Sequence, residues 1–210
     1  MGTETAMKKE HVLGILFFGT LWGASEAILG GVLYRAQAPH ASVPLTIIGF
    51  VVLTVARAYF PRAGSSTLIA ACAMLYKFFN APFFACHLLG ILLLGLAYDV
   101  VYSRFKMKSH APSAVTATYL GYALFAVLIT YVFRYSYWID AGLPKVLRYV
   151  GISGTIAAAG NALLVPLAAR AVESAKTKPR AASAQRARLA AGVVSLVTVA
   201  LWVLCVTVLF

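Results

Sequence analysis

Residues 11–34 read HVLGILFFGTLWGASEAILGGVLY, an apolar run of 24 residues broken by one carboxylate, Glu26. About 20 such residues cross the hydrocarbon core of a bilayer as a helix. A backbone in lipid must satisfy its hydrogen bonds within the segment, so the run is a transmembrane helix and not a strand. Further apolar segments follow at 44–60, 67–80, 82–103, 114–137, 149–171 and 189–210. The segment 67–80 is short, and Asn80-Ala81-Pro82 divides it from its successor, because proline disfavours a helical residue before it and starts a helix easily. A tight helical hairpin is expected there.

Composition agrees with this reading. Of 210 residues, 61% are hydrophobic and 11% charged, against roughly 25% charged in a soluble domain. The expected fold is all-α: a polytopic membrane helical bundle with a six-helix core (1–172), a basic linker (173–188) and a C-terminal seventh transmembrane helix (189–210). Met7-Lys8-Lys9-Glu10-His11 before the first apolar run resembles a signal-peptide start, but that run lacks a clear small-residue cleavage site, and a retained first helix is expected.

The net charge of +12 does not mark a nucleic-acid surface, because the cations fall between apolar runs. They carry topology. With the N-terminus cytoplasmic, Lys8, Lys9, Arg57, Arg62, Arg104, Lys106, Lys108, Arg170, Lys176, Lys178, Arg180, Arg186 and Arg188 lie inside, thirteen against the five of Arg35, Lys77, Arg134, Lys145 and Arg148 outside. The positive-inside rule therefore places the N-terminus in the cytoplasm. The linker ESAKTKPRAASAQRAR is a topology anchor that also meets anionic lipid headgroups.

Cys72, Cys86 and Cys205 are isolated, with no zinc spacing and no Cys-x-x-Cys-His motif, so neither a metal cofactor nor haem is expected. No Ser-His-Asp set, carboxylate pair or phosphate loop is legible, so the chain is expected not to be an enzyme and to leave any ATP hydrolysis to another protein.

The first helix holds Gly19, Gly23, Ala27 and Gly31 at four-residue intervals. Such a ridge lets a second helix approach closely; that helix belongs either to this bundle or to a separate membrane subunit. Glu26 projects from nearly the same side. A mid-helix carboxylate costs about 2.5–3.5 kcal/mol on insertion scales, so it faces protein or water, as a site residue or an interhelical hydrogen bond.

Lys77 is the second intramembrane charge, in MLYKFFNAPFFACHLLG. It either snorkels to the interface or joins Asn80, Phe83, Phe84 and His87 in an outer pocket of apolar walls and few polar groups. Cys86 and His87 read as a buried thiol and a satisfied histidine, or as ligands to a metal-centred substrate. The loop FRYSYWIDAGLPKVLRY (133–149) is long enough to cap such a pocket, with Trp138 as a wall. Asn161, near mid-membrane in GISGTIAAAGNALLVP, needs a partner and is a further binding candidate. Asp99, in GLAYDVVYSR at the cytoplasmic end of the fourth helix, reads most simply as a salt-bridge or interface residue.

The motif Trp22-Gly23-Ala24-Ser25-Glu26-Ala27-Ile28-Leu29-Gly30, the six helices in residues 8–172 and the basic cytoplasmic side together resemble the substrate-binding (S) components of energy-coupling-factor importers of vitamins and micronutrients. They also resemble a group of bacterial membrane proteins of similar six-helix architecture that share this first-helix motif. The first resemblance implies a plasma (inner) membrane location and a small-molecule substrate held near the extracellular face. It further implies a coupling membrane subunit that docks on the first helix, here at Gly19, Gly23 and Ala27, with ATPase subunits in other chains. A seventh helix departs from that family plan. Two other functions stand beside it: a membrane anchor or proton-conducting subunit relaying protons through Glu26 and Asp99, and an intramembrane enzyme using Cys86 and His87.

Overall fold

The computed structural model describes residues 2–79, 85–105 and 109–177. Asn80, Phe83, Phe84, most of the basic linker and the segment 189–210 lie outside the described residues. Every described element is helical: α1 (Gly2–Arg35), α2 (Ser42–Tyr59), α3 (Ser65–Leu75) with a 3-10 turn (Tyr76–Phe79), α4 (Ala85–Asp99) and α5 (His110–Val127), then the short α6 (Ser136–Ile139) and α7 (Gly142–Arg148), and finally α8 (Gly154–Thr177). Among the described residues five stretches are long and apolar enough to cross a membrane: Glu10–Arg35, Ser42–Tyr59, Cys86–Ser103, His110–Val132 and Gly142–Lys176. This fits a multi-pass membrane protein. The sixth apolar helix, Ser65–Phe78, is shorter than that threshold.

Proline marks three helix starts. Pro44, Pro112 and Pro144 each stand third in α2, α5 and α7, in the first turn, where the missing N–H has no intrahelical acceptor to lose. That placement corrects one expected boundary. Residues 133–149 are not a simple loop: α7 runs through a π-helical turn (Tyr149–Ser153) directly into α8, so the last described span begins at Gly142 instead of near residue 149.

The six main helices close a ring in the order α1, α3, α4, α5, α8, α2 and back to α1. Its centre is filled by Trp22, Phe50, Leu53, Ile69, Tyr98, Tyr122 and Val165. Lipid tails offer no hydrophobic drive for helix association, so close packing must supply it. Glycines sit at most of the seams. Trp22 of α1 lies over Gly49 of α2, Ala70 of α3 over Gly95 of α4, Leu94 of α4 over Gly121 of α5, and Ile47 of α2 over Gly160 of α8.

The ridge on α1 has its partner inside the chain. Gly19 faces Cys72 and the Ile69 carbonyl, and Gly23 faces the Tyr76 ring and the Ala73 carbonyl, all on α3 or its 3-10 turn. Ala27 is fully buried beside Tyr76, while Gly31 is only half-buried at the end of the helix. The docking face expected at Gly19, Gly23 and Ala27 is thus covered by α3, because a stripe of small residues is where the shortest interhelical distance can be reached. A Cβ at Gly23 would lie 2.9 Å from the Ala73 carbonyl oxygen. Gly23→Val should therefore lower stability by about 1–3 kcal/mol through overpacking, read as an earlier thermal unfolding midpoint in detergent; an unchanged midpoint would mean the α1/α3 seam is looser than described.

Candidate functional site

One end of the ring, opposite the N-terminus, is hollow. The C-terminal end of α1, the N-terminal ends of α2 and α4, the 3-10 turn after α3, the later part of α5 and Tyr149 enclose a cavity of about 580 Å³. That lies within the roughly 300–1,000 Å³ of small-molecule sites.

Its polar wall follows from the packing of α1 on α3. With Gly19 and Gly23 seating α3, the turn that ends α3 arrives beside Glu26, one step further along the same side of α1. The Tyr76 hydroxyl donates to Thr20 Oγ1 at 2.9 Å and pins that turn. Lys77 Nζ then sits 3.0 Å from Glu26 Oε2 and donates to the Glu26 carbonyl at 2.8 Å. Trp22 Nε1 donates to Glu26 Oε1 at 3.3 Å. Gly30 provides the room, since a Cβ there would come within 2.9 Å of the ammonium. Glu26 and Lys77 are only 4% and 6% exposed, yet both border the cavity. Lys77 turns inward instead of snorkelling, because a carboxylate at the same depth offers more than a distant headgroup.

A second polar strip faces it. Tyr122 donates to Ser42 Oγ at 3.4 Å and lies 3.3 Å from Thr46 Oγ1; Ser42 and Thr46 stand four residues apart and so share one face of α2. Tyr149 stacks on Tyr122 with ring centroids 4.8 Å apart, and Phe125, Ile91, Leu94 and Leu45 complete the apolar lining. His87 and Cys86 border the cavity from the start of α4. Among the described residues no three His, Cys, Asp or Glu side chains come together as a metal site.

The loop between α1 and α2 covers this end, contributing Gln37, Ala38 and Ala41 to the lining. His40 Nδ1 lies 2.7 Å from Ser153 Oγ, which ties the loop to the π turn before α8. Gln37 and His40 hold φ of 50° and 56°, a left-handed conformation uncommon for residues other than glycine.

Of the residues proposed from sequence, the structure brings Glu26, Lys77 and His87 to the cavity. Asn80, Phe83 and Phe84 lie outside the described residues. Trp138 and Asn161 are elsewhere. Trp138 stands behind the wall, edge-on to Tyr149 at 5.2 Å and to Phe125 at 5.5 Å, because α6 folds back under α7. Asn161 donates from Nδ2 to Thr118 Oγ1 at 2.9 Å across the α5/α8 seam and is fully buried there; its Oδ1 has no hydrogen-bond partner among the described residues. Sequence reading missed Arg35, Gln37, Ser42, Thr46, Tyr122 and Tyr149. The available signal was the Ser42/Thr46 pair, two hydroxyls at helical spacing in an otherwise apolar helix start.

At the opposite end Asp99 joins three helices. Its Oδ1 accepts from Arg57 Nη1 at 2.8 Å and its Oδ2 from the Thr67 backbone N–H and Thr67 Oγ1, both at 2.7 Å. Arg57 also donates to Ser103 at 2.6 Å and lies over the Tyr102 ring. No protein-family model, curated protein or solved structure was found to match the chain.

Proposed function

We propose that the chain is the membrane-embedded substrate-binding component of a small-molecule importer, of the energy-coupling-factor S-component kind, taking a vitamin or similar micronutrient. The observation that carries this reading is the 580 Å³ cavity at the bundle end opposite the N-terminus, with a buried ion pair in its wall and the 36–41 loop across it. With the N-terminus cytoplasmic, as the lysine and arginine distribution favours, the cavity faces outward in the inner membrane. A coupling membrane subunit and ATPase subunits in other chains would supply the energy. Since α3 covers Gly19 and Gly23, contact of that subunit with α1 would fall on the outward face of Leu13, Leu16 and Leu21, all exposed. Glu26 and Asp99, which a proton path would use, are each held by a cation at opposite ends of the bundle, which favours binding over a relay.

Native mass spectrometry of the gently purified chain tests this. The expected result is a retained small molecule that is lost in Gly90→Leu: Gly90 borders the cavity, and among the described residues a Cβ there meets only the Phe125 ring, at 3.7 Å, so the larger side chain fills the space. A chain that retains nothing, or retains the same molecule equally well in Gly90→Leu, would overturn the proposal.

A further inference from the structure

The hydrogen-bonding capacity left over in the cavity wall narrows the ligand. This step rests on the cavity being a small-molecule site. An ammonium has three N–H donors and a carboxylate about four lone-pair positions. Among the described residues, Lys77 spends two donors, on the Glu26 carbonyl and Oε2, while the Glu26 carboxylate receives one bond from Lys77 and a long one, 3.3 Å, from Trp22. One donor and at least one acceptor therefore remain side by side at a site that both residues border.

The two charges neutralise each other, and Arg35, the other charged residue of the lining, is exposed, so the buried part of the wall carries no net charge to repay the desolvation of a charged ligand group at this depth. A neutral edge is the cheaper complement. An N–H adjacent to a C=O, as in a lactam, imide or cyclic ureide, gives its proton to Glu26 and accepts from Lys77 in two parallel bonds. The aromatic walls select for flatness. Tyr122, Tyr149 and Phe125 border the same space, and aromatic surfaces favour stacked or edge-on planar partners. We infer that the cavity binds a neutral, planar heterocycle through an amide-type N–H/C=O edge paired to Glu26 and Lys77.

Calorimetric binding to the full chain in lipid nanodiscs tests the edge directly. The probes are uracil, xanthine and lumazine, each beside its fully N-methylated counterpart (1,3-dimethyluracil, 1,3,7-trimethylxanthine and 1,3-dimethyllumazine), with zwitterionic glycine betaine and anionic 2-naphthoate as controls that carry charged groups. At least one unmethylated probe should bind, and its methylated counterpart should bind at least about tenfold more weakly, since methylation leaves a buried acceptor without its proton. The ratio should fall toward one in a Glu26→Leu/Lys77→Met double variant, which removes both charges together; should that variant fail to fold, the methylation ratio in the parent chain decides alone. Equal binding of methylated and unmethylated probes, or binding of a charged control alone, overturns the inference and leaves the importer reading standing. No binding by any heterocycle also overturns it, and the importer reading falls with it only if the purified chain retains no small molecule either.

Discussion

Lys77→Met should unfold far more readily than the parent chain, by about 3–5 kcal/mol, because removing one partner of a buried pair strands the other charge. Among the described residues Glu26 would keep only the Trp22 indole N–H, at 3.3 Å. The loss should not be symmetrical with loss of the pair. Replacing both members, as in Glu26→Leu/Lys77→Met, should recover much of the stability, since an ion pair at this depth stands close to break-even against apolar groups of similar size. Denaturant unfolding in mixed micelles of the two single variants and the double variant checks this as a mutant cycle. If the double variant is as unstable as the two singles combined, Glu26 and Lys77 act independently and the pair is not what holds the wall together.

The second large effect is expected at the other end. Asp99→Leu removes the acceptor for Arg57 and for the Thr67 backbone N–H. Thr67 is the third residue of α3, so its N–H is one of the four at a helix start that have no acceptor within the helix. Asp99 of α4 therefore caps α3 from outside, and its negative charge suits the positive end of that helix dipole. Arg57 would keep Ser103 and the Tyr102 ring and is partly exposed, which puts the expected cost near the lower end of the buried-pair range, about 3 kcal/mol. Hydrogen exchange should show the loss concentrated in the first turn of α3. Unchanged protection at Thr67 would mean that the cap contributes nothing.

Both ends were legible in sequence to different depths. Glu26 and Lys77 stand out because an ionisable side chain within an apolar run carries an insertion cost that something must offset, and Asp99 read correctly as a salt-bridge residue on the same ground. Tyr122, Tyr149, Ser42 and Thr46 carry no such cost. A hydroxyl near a helix end fits a cavity, a neighbouring helix or the headgroup layer equally well, and only packing decides. The same ambiguity holds for Asn161, which lies away from the cavity with its Nδ2 donating to Thr118 across a seam. Trp138 was drawn to the cavity by its loop, but α6 and α7 were not foreseen: Asp140, Gly142 and Pro144 look like loop chemistry when Pro144 in fact occupies a first helical turn. The glycine ridge announced a close helix approach without naming the helix.

The order of helices around the ring has a consequence for how the molecule is made. Helices α1 and α2 leave the ribosome first, yet α2 lies between α1 and α8, so one flank of α2 waits for the last described helix before it is covered. Ser42 and Thr46 acquire their tyrosine partner only when α5 is in place, and Tyr149 and the Ser153 tether of the α1–α2 loop come later still. A nascent chain halted before residue 149 would be inserted in the bilayer with its chamber unroofed and open along one side. The cavity wall is therefore complete only once Tyr149 and the helix that follows it have joined the bundle.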